Sequence, residues 1–355
     1  METTYINAQQ QAGADWNSDA TCALSFGNPV AEYNAATGAC ALFDLSQLVN
    51  VDLIGDDRKT FLHNFCTNEI KSLNPGTGCE AFATNVKGRV LAHMFVFADE
   101  TKLKLITGLV CAKSLVDHLD RYIITEDVTL DYQSCRQTNM FIGGPASAEH
   151  INGLDIDVSS FEPYAHRRTT WNDISLDIHR VDLLGTPGFL VTVDSEQAAV
   201  LWNGFVTAGI PAAGRSAFDV LRIEAGLPAY GLDVSDENIV QEVSRTSRTT
   251  SFNKGCYLGQ EPIARLDAMG HVNRMLRGLR MNTPGDIPQP NAVLSSADDG
   301  GEVGRITSSA RLSEDSPAVA LAYLRRSHAE PGTIVQVNVG STRHDATVFW
   351  PVDLE

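Results

Sequence analysis

Residues 282–291 read NTPGDIPQPN, with three prolines in ten positions. Proline locks φ and carries no backbone N–H, so neither a helix nor a central strand runs through such a stretch. It predicts a boundary between two unlike parts. Downstream, strand-like runs follow at 301–312, 318–325, 333–339 and 342–350, and helical periodicity is lost. Four or five short strands with Gly and Pro turns predict a small barrel or sandwich.

Upstream, both periods occur. Residues 57–70 place Phe61, Leu62, Phe65 and Ile70 near one face at helical spacing. Residues 88–98 (GRVLAHMFVFA) read as a strand, with 102–106 as its hairpin partner and Asp99-Glu100 in the turn. Ala112, Leu115, Val116, Leu119, Tyr122 and Ile123 predict a second amphipathic helix, and strands follow near 128–133 and 138–143. Residues 145–173 read as loop, 175–182 and 188–193 as strands. Helices are expected over 195–208 and 216–225, with Asp194 as an N-cap and Gly209 and Gly226 as ends. The polar residues 1–30 read as an arm that docks on the body. The expected organisation is therefore an arm (1–30), an α+β body (31–281) and a C-terminal β-domain (282–355).

The chain has 355 residues, 43% hydrophobic and 20% charged, so a sizeable core is expected. Its 27 Lys and Arg against 44 Asp and Glu leave a net charge of −17. That balance argues against direct DNA binding or attachment to an anionic membrane, while a local basic pocket for a small anion stays open. No apolar run approaches the length of a transmembrane helix, and the N-terminus lacks the pattern of a signal peptide. Seven cysteines, an odd number without a CxxC, argue against a disulfide framework and for a reducing cytoplasm. No P-loop, GxGxxG, HExxH or GxSxG is present, and the scattered histidines, His93 among them, predict no metal site.

The densest cluster of special residues is 252–265, FNKGCYLGQEPIAR. Gly255 and Gly259 permit positive φ or close backbone approach. Cys256 and Tyr257 sit between them, and Lys254 is two residues before the cysteine. An ammonium nearby would favour the reactive thiolate, which marks Cys256 and Lys254 as the catalytic candidates. Gln260, Glu261 and Arg265 add an amide, a carboxylate and a cation on a helix that Pro262 helps to start. The plainer alternative is a glycine-cornered turn around a buried, inert cysteine.

This motif, with Gly270 and RMLRG at 274–278, closely resembles the signature of the YgfZ family, a branch of the GcvT-like folate-binding superfamily. The resemblance extends over GACALFDLS (38–46), LIGDDRKTFL (53–62) with Thr67-Asn68, NVKGR (85–89), LRIEAGLPAYG (221–231), GEVGRITS (301–308) and LAY (321–323). It implies a folate-binding body of mixed α/β subdomains around a central pocket, capped by a β-barrel. The implied ligand is tetrahydrofolate or a derivative, with Asn85, Lys87, Arg89, Arg222 and Glu224 as candidate binding residues. The implied role is support of iron–sulfur protein assembly or repair and of the tRNA modification that depends on it, with iron–sulfur proteins as partners. The other cysteines are too scattered to hold a cluster themselves.

Three departures separate the chain from the superfamily's aminomethyltransferases. The stretch Gly88–His93 lacks their acidic pair, Leu190 stands roughly where a pterin-holding Glu is found, and Phe218 replaces the Arg of an "ARD" segment. The expectation is thus a YgfZ-like protein without aminomethyl transfer. The alternatives are a folate-dependent aminomethyltransferase or demethylase, and a non-catalytic binding module.

Overall fold

The structure, a computed structural model, describes residues 4–133, 136–339 and 342–351. Two sheets, antiparallel but for one strand pair, form the heart of the body. The first has five strands in the order Thr77–Thr84, Val90–Ala98, Lys102–Gly108, Leu48–Ile54, Thr129–Tyr132. The second has six, in the order His166–Trp171, Ile174–Arg180, Gly188–Asp194, Gln137–Gly143, Ala41–Asp44, Ala212–Ala213, the last pair being parallel.

Strand Val90–Ala98 shows why the sheets stack. Side chains alternate across a strand, so one face carries Ala92, Met94, Val96 and Ala98, and the other carries His93, Phe95 and Phe97. The first set packs with Cys111, Leu115 and Leu119 of helix Leu109–Asp120. Phe95 and Phe97 meet Phe43, Phe141 and Leu190 of the second sheet. Buried on both sides, the strand must be apolar at nearly every position. The far face of the second sheet is covered by helix Ala198–Thr207, whose Trp202 and Phe205 are buried there.

Residues 5–11 form a helix, and Tyr5 lies edge-on to Trp202 with ring centroids 5.7 Å apart. Residues 145–173, expected as loop, contain helix Ser147–Asn152 and strand His166–Trp171. The strand alternates Arg and Thr, too polar for an apolar pattern, and its register with Ile174–Arg180 defines it. The helix expected over 57–70 is confined to Arg58–His63, with Ile70 still buried beyond it. The Asp194 side chain makes no capping bond.

After the body comes a closed barrel of six strands, in the order Arg274–Met281, Val319–Arg325, Glu302–Ala310, Val293–Ser296, Ile334–Val339, Thr342–Phe349. Its first strand precedes the prolines, so residues 282–291 lie within the barrel rather than at its start. Arginines hide that strand in the sequence. Arg277 is buried, donates to Ala329 O at 2.8 Å and stacks 5.3 Å from the Trp350 ring. Arg280 pairs with Glu224 at 2.6 Å.

Body and barrel share a core of Val220, Ile223, Val243, Tyr257 and Ile263 against Leu276, Leu321, Tyr323 and Trp350. Through it runs one carboxylate. Asp233, 2% exposed, accepts from Arg222 Nη1 and Ala229 N, both at 2.9 Å, with one oxygen. With the other it accepts from the Ser308 hydroxyl at 2.6 Å and from the Thr307 hydroxyl on the barrel. Removing one partner of a buried ion pair strands the other charge, at about 3–5 kcal/mol. Asp233→Ala is therefore expected to lower unfolding stability in urea by about that much. Lys113→Ala, which breaks the exposed pair with Asp117, should cost less than about 1 kcal/mol. Near-equal midpoints for the two variants would refute this.

Candidate functional site: a donor-rich cleft and a separate thiol motif

A cleft of about 380 Å³ opens between the first sheet, helix Arg215–Glu224 and the loop after it. Leu45, Phe95, Ile106, Phe218 and Tyr230 make much of its wall apolar, and His93, Arg215 and Arg222 bring polar edges. Among the described residues no Asp or Glu lines it. Phe218 packs on Phe43 with ring centroids 5.4 Å apart. Leu190 is buried between the sheets and offers nothing to a ligand.

Arg222 is buried and held from two sides. Nε donates to Asp219 at 2.5 Å, and Nη1 donates to Asp233 at 2.9 Å and to Leu227 O at 3.3 Å. Arg215, two helical turns earlier, donates from Nε to the other oxygen of Asp219 at 2.7 Å. Burial works against the guanidinium of Arg222, but Asp233 and Asp219 outweigh it and raise its pKa. Asp219 thus ties both arginines in place.

His93 enters the cleft from below. Its Nε2 lies 2.6 Å from Glu80 Oε1, and Arg245 clamps the same carboxylate in bidentate fashion at 2.8 and 3.0 Å. Burial alone would raise the Glu80 pKa, but Arg245 and His93 hold it well below the usual carboxylate range. An ionised carboxylate only accepts, so Nε2 carries the hydrogen of this bond. From the sequence, His93 reads as a scattered, non-ligating histidine and as the end of a stretch without a carboxylate. Glu80 was the readable clue, an acid amid apolar neighbours in CEAFA at 79–83.

The thiol motif is elsewhere. Of Asn85, Lys87, Arg89, Arg222 and Glu224, only Arg222 lines the cleft. Glu224 is occupied by Arg280 at 2.6 Å and the Tyr33 hydroxyl at 2.8 Å. Asn85, Lys87 and Arg89 belong to the turn that joins the first two strands of the first sheet, and this turn packs on the motif. Asn85 Oδ1 accepts from Lys87 N at 2.9 Å and Arg89 N at 3.1 Å, and Arg89 donates to Glu237 O. Gly259 has φ +83°, and a Cβ there would lie 2.2 Å from Asn85 O. Gly88 has φ +68°, and its Cβ would press on Gly259 O and Ile263 at 3.1 Å. The two glycines let the turns meet backbone to backbone.

Lys254 departs from the expected role. Its ammonium is buried and donates to three carbonyls, of His63 at 2.6 Å, Cys66 at 2.7 Å and Asn68 at 2.7 Å. It also lies 4.8 Å from the Tyr257 ring centroid. All three N–H bonds are used, so this lysine staples the motif onto residues 63–68 instead of facing the thiol. Burial lowers its pKa. Cys256 is exposed, as are Gly255, Glu261 and Arg265, whereas Tyr257 is buried and Gln260 half-buried. Helix Gln260–Met269 carries the last part of the motif and buries only Ile263 fully among its described side chains.

Among the described residues, Cys40, Cys66, Cys79 and Cys111 are buried and Cys22 is half-buried. Burial pushes Cys40 and Cys66 up to about 11 and Cys79 further, and it also raises Cys111 and Cys22. Cys135 lies outside the described residues, and no group among the described residues is arranged to hold a metal ion. Because the thiolate is the nucleophile, limiting iodoacetamide at pH 7.5 should label Cys256 at least about tenfold faster than Cys66 or Cys111. Lys254→Met should lower the melting temperature, since three carbonyls lose their donor, yet leave Cys256 labelling of the folded protein within about twofold. A collapse of labelling without a loss of stability would restore lysine as the activator.

The comparisons with known proteins bear on both domains. The GCVT N-terminal domain matches residues 8–253, and the glycine cleavage T-protein C-terminal barrel domain matches residues 274–352. A chloroplastic protein of Arabidopsis thaliana named as a transferase is 28% identical over 88% of this chain and 72% of its own length. An aminomethyltransferase of Saccharopolyspora erythraea is 27% identical over 90% of this chain and 88% of its own. The crystal structure of the glycine cleavage system aminomethyltransferase T from Bartonella henselae superposes with a TM-score of 0.82 at 17% identity, covering 99% of this chain and 97% of that one. This likeness of fold agrees with a mixed α/β body followed by a closed barrel. Since the N-terminal domain match alone covers more than half of the sequence, the chain belongs to the GCVT (glycine cleavage T-protein) family.

Proposed function

We propose that this protein binds a reduced folate in the central cleft, does not transfer an aminomethyl group there, and uses the exposed Cys256 motif in YgfZ-like support of iron–sulfur proteins and the tRNA modification that depends on them. The observation that carries this reading is the cleft's composition: apolar walls, two fixed guanidiniums and no carboxylate among the described residues. An aminomethyl transfer must manage charge on an amine, and neither Ala92 nor a His93 already committed to Glu80 replaces a carboxylate for that work. The separation of the exposed thiol from the cleft supports two tasks on one fold.

A second reading is a folate-dependent one-carbon transferase. The names of the relatives favour it, since the curated similarities are to a transferase and to aminomethyltransferases.

Calorimetry with folinic acid tests the shared element, with saturable heat at micromolar to millimolar ligand expected. A glycine-cleavage assay separates the two readings: no turnover with tetrahydrofolate is expected, and clear turnover would establish the second. Cys256→Ala should fail to restore iron–sulfur enzyme activity in cells lacking the protein, and full rescue would remove the thiol's role.

A further inference from the structure

We infer that the cleft holds a folate by its carboxylated benzoyl-glutamate tail rather than by its pterin ring. This rests on the folate reading above and assigns which end of the ligand the buried arginines take.

The argument is a matching of donors and acceptors. A pterin presents its amino group and ring N–H side by side, and a carboxylate answers them with two acceptor oxygens. Among the described residues the cleft has none. The side-chain acceptors on its wall are neutral, the Gln47 amide and the Thr107 and Tyr230 hydroxyls, and none of them offers the paired oxygens of a carboxylate. Leu227 O is already engaged by Arg222.

Donors are in surplus. Arg222 is 3% exposed and lines the cleft, and its Nε and Nη1 are filled, but Nη2 makes no hydrogen bond among the described residues. Arg215 also lines the cleft and hydrogen-bonds through Nε alone among the described residues, with its guanidinium 5.9 Å from the Phe218 ring centroid. A guanidinium edge with free N–H groups is matched to a carboxylate. Helix Leu109–Asp120 adds to this, since its first residues line the cleft and its N-cap, Gly108, supplies no side-chain acceptor. The positive end of a helix favours an anion. Asp219 and Asp233 balance the two arginines in net charge. Recognition therefore rests on directed N–H groups, and the apolar wall of Phe218, Phe95 and Tyr230 suits the benzoyl ring.

The test is calorimetric competition on the full chain with three probes: folinic acid, p-aminobenzoyl-glutamate (tail without pterin) and 6-hydroxymethylpterin (pterin without tail). The tail fragment is expected to bind within about tenfold of folinic acid and to displace it, and the pterin fragment to bind at least 100-fold more weakly. Arg215→Gln should weaken the tail fragment about tenfold or more and leave the pterin fragment unchanged. Arg222→Lys is the more direct variant, but Arg222 also anchors Asp233, so Arg215→Gln is the deciding one. If folinic acid and the pterin fragment bind while the tail fragment does not, the inference is overturned and folate binding stands. If folinic acid gives no heat, the folate reading falls. Binding of the tail fragment would then still uphold carboxylate recognition, and its failure would overturn that too.

Discussion

The salt bridge between Arg222 and Asp233 is the joint on which the molecule depends. A buried guanidinium and a buried carboxylate are tolerated when the two charges are paired and hydrogen-bonded. Asp233 meets that condition by drawing on three parts of the chain: the helix with Arg222, the loop at Ala229, and the barrel hydroxyls of Thr307 and Ser308. Arg222 meets it through Asp219, Asp233 and Leu227 O, and the edge left over faces the cleft. One ion pair thus seats the barrel on the body and sets the polarity of the cavity. The stability of the interface and the chemistry of the cleft are consequently coupled.

The thiol motif is built on a different constraint, the packing of backbone on backbone. Gly259 stands where a Cβ would collide with Asn85 O, Gly88 takes a positive φ with little room beside it, and Lys254 donates to three carbonyls of the 63–68 turn. Thr84 and Asn64 hold Leu258 from either side through its carbonyl and amide. Cys256 is therefore exposed on a rigid support, not on a loose loop. Residue types that look like catalytic equipment in KGCYLGQE divide into scaffold (Lys254, Tyr257, Gly259) and presented surface (Cys256, Glu261, Arg265). A thiol carried this way is suited to meeting a large partner, and a cleft on another part of the body is suited to a small one.

Much of the fold was legible because it follows from period and composition. The hairpin of 88–98 with 102–106, the helix around Leu115 and Leu119, and the barrel strands from 301 onward are written as alternation, helical spacing and turn residues. Strand Arg274–Met281 was not legible, since a strand with three arginines reads as surface until Trp350 and Glu224 are brought to it. Strand His166–Trp171 was missed for the same reason, because its identity comes from its neighbour and not from its own pattern.

The site divides along the same line. By itself the sequence determined which residues are unusual: a cysteine between glycines, a lysine two positions before it, and arginines in an acidic chain. It also determined the order of body and barrel, because hydrophobic period is a local property. Only the tertiary structure decided which of these residues meet. It separated Asn85, Lys87 and Arg89 from Arg222, turned Lys254 from an activator into a staple, and brought Glu80, His93 and Arg245 together from 165 positions apart in the chain. The physical reason is that charge and hydrogen-bonding capacity act over a few ångströms of space, and a linear sequence does not record which distant groups are placed within that reach.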